Sequence, residues 1–436
     1  MAAKFTVLIR TFGTNLSYYR DCLESLNALS FENWELIILD ETNSQEVEWL
    51  TEEMFPEENR VVYRKIKHKH GFAYAYNIGV HFASGDYIIL LGQHDRLSGN
   101  TLEALNKKVK DYEIVYSDHD ELIESNRMHP HFKPDYNEEL LRHGPYIGSF
   151  LCFRKNLCMK MGEFHEKLEY YPMYDFLFRC VEAKIQVGHI PALLYHERVV
   201  DEMIPKERKE KMLREYATIV LAHIRRKGLD ASVVPEKKNR FLDVEYKADF
   251  YKNHRNEYLF LHEKGVRIRG KKYMQKLYSV LSQPDVGVVG IRFLHYDFTN
   301  DNCGYIYGNE GIAYPACYNK SVFSTGYENR AIIPADVSMV DAGCCMIDAK
   351  LYRHIGGFGA NLDGRDIMLD FCLKARDAGR RVVYLPDVVA YRKIGNTIST
   401  QSSNGLIMER WHDKLKAGDP FYNENLPLGL DNYELY

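Results

Sequence analysis

Over the first 120 residues, short β-branched runs alternate with helical patterns, and run after run ends in a carboxylate. This alternation constrains the chain most, because parallel strands need crossover connections, usually helices. KFTVLIR (4–10), WELIILDE (34–41), RVVYRKI (60–66), DYIILL (86–91) and EIVYSDHDE (113–121) read as strands. Between the first two, Leu16, Tyr19, Leu23, Leu26 and Leu29 recur at helical spacing, which predicts an amphipathic crossover helix over 15–29. A second helix opens at Gly71. Asp40, Glu41, Asp95, Asp118 and Asp120 therefore fall at or beyond carboxyl ends of strands, where open α/β sheets bind ligands. Any one of them could be a turn former or an N-cap. The series predicts a shared acidic cleft.

With 436 residues the chain is long enough for two or three domains. Its 57 Lys+Arg against 61 Asp+Glu leave a net charge of -4, which gives no whole-molecule attraction to nucleic acid or to an anionic bilayer. A hydrophobic share of 45% supports a sizeable core. The nine cysteines are odd in number and show no CxxC spacing, so they are expected to be buried free thiols in a reducing compartment. No signal peptide is expected, and no apolar run approaches the roughly 18 residues of a membrane span.

From 136 to 200 the pattern is mixed, and a charged helix is expected at 205–228, apolar through Met212, Tyr216, Ile219, Val220 and Ile224. Its basic residues read as a solvated face. The polar stretch 233–241 marks the best boundary, and strands resume at 258–266 and 286–294.

Several motifs then fall in order. RTFG (10–13) ends the first strand, and Asp40, Glu41, Thr42 and Asn43 end the second. Ala75, Tyr76 and Asn77 lie in the Gly71 helix, and Ser84, Gly85 and Asp86 form a small-Gly-acid turn. YSDHDE (116–121), FKPD (132–135), YIGS (146–149) and HIPALLYHER (189–198) follow. In this series the chain resembles the family 2 glycosyltransferases, particularly the tandem-domain type of bacterial surface polysaccharide synthesis. The second half resembles the back portion of another copy, through YLFLHEKGV (258–266), QPDVGVVGIRFL (283–294) and VDAGCCMIDAKLYRHIGGFG (340–359). The resemblance implies a GT-A type, Rossmann-like mixed α/β sheet with flanking helices over 1–230, a linker at 231–256 and a truncated second GT-A-like domain over 257–436.

It also implies chemistry. Thr11, Asp40 and Glu41 match positions that touch the nucleobase and ribose of a nucleotide-sugar donor, and Asn77, Asp118 and Asp120 join that set. The family's metal-binding strand end appears here as LLGQHDRL, so Gly92 and His94 replace two aspartates and Asp95 remains. His94, Asp95 and His196 could assemble a divalent site for manganese or magnesium, and the imidazoles suit a transition metal better. Otherwise Arg96 or another cation would face the diphosphate. The general base falls on Met173, leaving Asp175 as the nearest carboxylate, with Arg179 one turn on. In the second copy the corresponding positions are Lys264, Met368, Asp370 and Tyr391, with Asp366 a stray acid, so that half is not expected to be catalytic.

Two readings follow from the resemblance. The first is an inverting transferase acting on a glycan or lipid-linked acceptor in surface polysaccharide or glycoprotein biosynthesis. It would be cytoplasmic, with at most peripheral contact at the inner membrane face. The second is a non-catalytic relative that binds glycan or scaffolds a partner glycosyltransferase. A dinucleotide-dependent oxidoreductase is disfavoured, because RTFGTN stands where GxGxxG would follow the first strand.

Overall fold

The computed structural model describes residues 3–56, 58–67, 71–200, 205–238, 241–248, 256–362, 364–393, 405–430 and 432–433. It divides into two compact units. One comprises Met1–Lys133, Pro145–Lys227 and Val233–Leu242; the other comprises Pro134–Gly144, Gly228–Ser232 and Asp243–Tyr436.

The first unit begins β1 (Phe5–Thr11), α1 (Leu16–Asn27), β2 (Trp34–Asp40), α2 (Glu46–Met54), β3 (Val61–Lys65), α3 (Phe72–Phe82) and β4 (Tyr87–Gly92). It continues with β5 (Arg96–Leu97), α4 (Thr101–Lys108), β6 (Ile114–Ile123) and β7 (Asn126–His131). After α5 (Glu138–His143), which packs in the second unit, come β8 (Cys152–Arg154), α6 (Asn156–Met161), α7 (Pro172–Glu182), β9 (Val187–Arg198) and α8 (Lys206–Arg226). The sheet order is β3-β2-β1-β4-β8-β6-β9-β5, with β7 on β6. The β3-β2-β1-β4 portion is parallel, and β8 runs antiparallel to both β4 and β6. This is a GT-A type mixed sheet.

All seven residues of β2 are buried, as expected for a strand covered on both faces. On one face Val7, Ile9, Leu36, Ile38, Ile89 and Leu91 pack against Tyr19, Cys22, Leu23 and Leu26 of α1. The Asn15 side chain caps α1 by accepting from the Ser17 and Tyr18 amides. In α8 the buried face runs through Leu213 rather than Met212, together with Tyr216, Ile219, Val220 and Ile224.

The turn into β4 is tight. A Cβ on Gly85 would stand 2.5 Å from Thr6 Oγ1, 2.8 Å from Thr6 N and 2.9 Å from Phe5 C, and a backbone neighbour cannot step aside. The Gly85 amide donates to Thr6 Oγ1 at 3.0 Å, and Thr6 in turn donates to Glu35 at 2.6 Å. Gly85→Ala is therefore expected to cost about 1–3 kcal/mol through overpacking and loss of these bonds. Urea unfolding checks this, and a midpoint unchanged from the parent would refute it.

In the second unit β10 (Ala231–Pro235) and β11 (Leu242–Tyr246), which straddle the division, pair with each other. There follow β12 (Tyr258–His262), β13 (Arg267–Arg269), α9 (Tyr273–Leu281), β14 (Val286–His295), β15 (Asn300–Asn302), β16 (Tyr305–Tyr307) and β17 (Ala313–Pro315). The chain then forms β18 (Ala335–Asp336), β19 (Cys344–Asp348), α10 (Ala349–His354), α11 (Gly364–Asp377), β20 (Arg381–Arg392) and α12 (Leu406–Lys416). The main path, β12-β19-β14-β20-β13, repeats β4-β8-β6-β9-β5 strand for strand. The senses agree as well: β14 is parallel to β20 as β6 is to β9, and β13 is antiparallel to β20 as β5 is to β9. Nothing among the described residues corresponds to β1, β2 and β3. The described part of the second unit thus repeats the back of the first unit's sheet without its parallel front. All nine cysteines are buried and free.

Candidate functional site

The parallel register sets Thr11 beside Asp40, and Asp40 beside Lys65. Thr11 Oγ1 donates to Asp40 Oδ1 at 2.8 Å, and the Thr42 amide donates to the same oxygen at 2.8 Å. Lys65 Nζ donates to Oδ2 at 2.7 Å, and the Tyr63 hydroxyl donates there too. Burial favours protonation of Asp40, but the bonds from Lys65, Tyr63 and Thr42 outweigh it and hold the carboxyl below its usual range. Next to it, Glu41 receives both Nε (3.0 Å) and Nη2 (2.7 Å) of Arg10, whose guanidinium lies 4.2 Å from the centre of the Phe12 ring. An ordered, ionised carboxylate thus stands at the carboxyl end of the parallel sheet, where the strand order reverses about β1.

The turn after β4 is built differently from a metal-binding acidic turn. Gln93 accepts from the Phe12 amide (3.0 Å) and Thr14 Oγ1 (2.7 Å) and donates to the Phe12 carbonyl (2.9 Å), tying this turn to the loop after β1. His94 Nε2 accepts from the Asn15 amide at 3.1 Å, and burial, aided by the Arg198 charge, lowers its pKa. The Asp95 carboxylate turns inward, accepting from the Tyr195 hydroxyl and from the Arg198 amide at 2.8 Å. Gly92 makes room for that posture, since a Cβ there would lie 2.0 Å from Asp95 Oδ2. His196 has Nδ1 on Asp120 at 2.6 Å and Nε2 on Ser98 Oγ at 2.9 Å. Among the described residues no three His, Cys, Asp or Glu side chains are arranged to hold a metal ion. With its donor atoms engaged in this way, the His94, Asp95 and His196 set does not fit a divalent cation.

The other candidates are also integrated into the fold. Asp118 accepts from the Lys133 amide (2.8 Å) and faces His189 Nε2 (2.9 Å). Asp120 also receives Arg127 Nε at 2.7 Å, and His196 and Arg127 overcome the effect of burial to keep its pKa low. The Asn77 amide clasps Phe164 at both its N–H and its carbonyl, each at 3.0 Å. Asp175, 3% exposed, receives Arg179 Nε at 2.9 Å, while Arg179 ties down the carbonyls of Met161, Gly162 and Glu163. The exposed His165 imidazole stands 3.1 Å from Asp175 through Nδ1.

Several of these partners escaped the reading of the sequence. Lys65 and Tyr63 had a usable signal, being alternate residues of a strand adjacent to the one that ends in Asp40. Gln93, His165 and Tyr195 had none.

Strand order and the ordered carboxylate at the sheet's carboxyl edge are those of a GT-A type fold. Residues 6–160 match the family model "Glycosyl transferase family 2". It is 23% identical to an uncharacterized protein of Sinorhizobium fredii, over 99% of this chain and 58% of that protein. It is 21% identical to the O-antigen biosynthesis protein RfbC of Myxococcus xanthus, over 94% of this chain and 39% of that protein. The chain therefore spans only part of the length of these relatives. A solved structure of S. aureus TarS 1-349 in complex with UDP-GlcNAc aligns with a TM-score of 0.41 at 15% identity, covering 50% of this chain and 66% of that one.

Proposed function

We propose that the chain is an inverting glycosyltransferase that takes a sugar from a nucleotide-sugar donor and delivers it to a glycan or lipid-linked acceptor in cell-surface polysaccharide or glycoprotein biosynthesis. Residues 1–230 would be the donor domain, 231–256 the connection and 257–436 the truncated copy. The observation that carries this reading is the buried Thr11–Asp40 pair beside Arg10–Glu41, at the sheet edge of a family 2 domain. The relative's role in O-antigen biosynthesis supports the acceptor class. Among the described residues no helix is long and apolar enough to cross a membrane.

In the reaction the acceptor oxygen bonds to the anomeric carbon, the bond from that carbon to the diphosphate oxygen breaks, and the hydroxyl proton passes to a base. Asp40, Thr11 and Glu41 would orient base and ribose. Arg96, whose side chain makes no hydrogen bond or ion pair among the described residues, would face the leaving diphosphate. Asp175 together with His165 would take the proton.

The second reading, a non-catalytic relative that binds glycan or scaffolds a partner transferase, is favoured by one observation. Met173 occupies the position where the resemblance puts the general base, and the three candidate metal ligands are engaged elsewhere. Calorimetry of UDP, a UDP-sugar and a dTDP-sugar, with and without manganese, separates the readings when followed by hydrolysis of the tightest donor. We expect donor binding that Asp40→Asn weakens roughly tenfold or more, since a charged hydrogen-bond hub is lost. No binding of any nucleotide would overturn the transferase reading. Binding without any turnover would favour the scaffold.

A further inference from the structure

The second unit holds a cavity of about 850 Å³ at the end of its sheet, where the β12–β13 turn meets the end of β20. Strand for strand, this is where the first unit places its β4–β5 turn. Among the described residues no counterpart of the Asp40 edge stands there, yet the cavity has not been filled by packing. Its volume lies in the range of roughly 300–1,000 Å³ typical of small-ligand sites.

One wall is a closed electrostatic hub. Arg392 donates to Asp341 at 2.7 Å through Nη2 and also reaches Asp301, while Asp341 receives the Tyr305 hydroxyl (2.7 Å), the Asn302 amide group (2.9 Å) and the Gly343 N–H (2.7 Å). Gly343 allows this crowding, because a Cβ there would lie 2.9 Å from Asp341 Oδ1 and 3.1 Å from Glu263 Oε2. Beside the hub sits His295, 4% exposed, and neither of its ring nitrogens makes a hydrogen bond. Asp301 lies 3.4 Å from its Nε2, and the Tyr318 ring meets its ring at right angles. A buried imidazole without a hydrogen-bond partner carries a desolvation cost that a ligand hydroxyl would offset.

The rim has a different character. The side chains of Lys264, Arg267 and Lys393 are exposed and make no hydrogen bond or ion pair among the described residues. Tyr296, 46% exposed, stacks on Tyr391 at 5.9 Å and offers a flat apolar face. Hydroxyl-binding groups at the base, an aromatic platform at the mouth and three uncommitted cations around it describe one kind of molecule.

We infer that this cavity binds an anionic saccharide, with sugar hydroxyls directed at His295 and the acidic hub, and the negative group held by Lys264, Arg267 and Lys393. The inference does not depend on donor binding in the first unit. A sugar phosphate and a uronic acid share the required chemistry. Titration of the full chain with glucose 1-phosphate, glucuronate, glucose and inorganic phosphate tests it, monitored by calorimetry at millimolar ligand.

One of the two anionic sugars is expected to bind, more tightly than either glucose or phosphate alone. The double variant Lys264→Ala/Arg267→Ala, at exposed positions, should keep the parent's melting temperature and weaken that binding roughly tenfold or more. His295→Phe should weaken it as well, and Asp40→Asn in the first unit should not change it. Absence of binding by either anionic sugar overturns the inference. So does binding that the double variant leaves intact, or phosphate binding as tightly as the sugars, or loss of binding in Asp40→Asn alone.

Discussion

Arg142→Met is expected to destabilise the second unit by about 3–5 kcal/mol, the scale for leaving buried charges without their partner. The side chain is fully buried although α5 is a short helix of six residues. Its Nη1 donates to Gln283 Oε1 (2.7 Å), the Tyr246 hydroxyl (2.9 Å) and Glu139 (3.2 Å), and Nη2 meets Glu138. A second arginine, Arg381, reaches the same Glu139 (3.0 Å) and Gln283 (3.0 Å), together with Asp336 (2.9 Å). The two arginines thus share one glutamate and one amide oxygen, all within the second unit. Burial alone would protonate Glu139, but His143 and the two arginines hold it well below the usual carboxylate range. The stability Glu139 contributes is therefore present above its unfolded pKa and lost as pH falls through its depressed folded value.

Methionine matches much of the volume of arginine but none of its charge, so Glu138 and Glu139 lose one of their countercharges. By contrast the exposed pair Arg20–Glu53, at 2.9 Å, should contribute little, because solvent screens it. Urea unfolding of Arg142→Met beside Arg20→Ala makes the comparison. Equal losses in the two variants would refute the network. The double variant Arg142→Met/Glu139→Met should lose less than the sum of the single ones, because it removes both members of a pair.

Asp95→Asn is expected to flatten the dependence of stability on pH and to stabilise the first unit by about 2–4 kcal/mol at pH near 8. Burial, and then the charge of Glu197, push the Asp95 carboxyl up to about 7 despite its bonds from Tyr195 and Arg198. The folded protein therefore keeps a proton that the unfolded chain releases near pH 4. The stability this contributes is fully present below the unfolded pKa and is lost as pH rises through about 7. Asparagine resembles the protonated acid and does not titrate, so the loss disappears. Parallel stability profiles for parent and variant between pH 4 and 8 would exclude this assignment. The same posture bears on chemistry, because a carboxyl that is neutral near pH 7 and faces inward is a poor cation ligand. Manganese should leave the parent's melting temperature unchanged; a rise that Asp95→Asn abolishes would mean that the carboxylate swings outward to take the ion.

Strands and crossovers were legible from local pattern alone. The run WELIILDE became a fully buried strand ending at Asp40, and the helical spacing of Leu16 to Leu26 became α1, because burial on one or two faces leaves a period in the sequence. The internal repeat was legible too, through paired segments that now form the matching paths β4-β8-β6-β9-β5 and β12-β19-β14-β20-β13. The site was read less completely. Motif position nominated His94, Asp95 and His196 as a cluster, but the direction each side chain takes depends on Asn15, Tyr195, Arg198, Asp120 and Ser98, most of them far away in the chain.

The sequence by itself determined the order of strands and helices, the placement of acids at strand ends, and the replacement of motif residues by Gly92, His94 and Met173. The first two are properties of neighbouring residues that periodicity and spacing record directly, whereas the third follows only from the resemblance to the family 2 glycosyltransferases. Only the tertiary structure decided that Asp40 is held ionised by Lys65 and Tyr63, that Asp95 turns away from the sheet edge, and that α5 carries its arginine into the second unit. Only it revealed the cavity beside His295. Charge state and orientation depend on which distant groups surround a side chain and how much water they exclude, and that is settled when the sheet assembles.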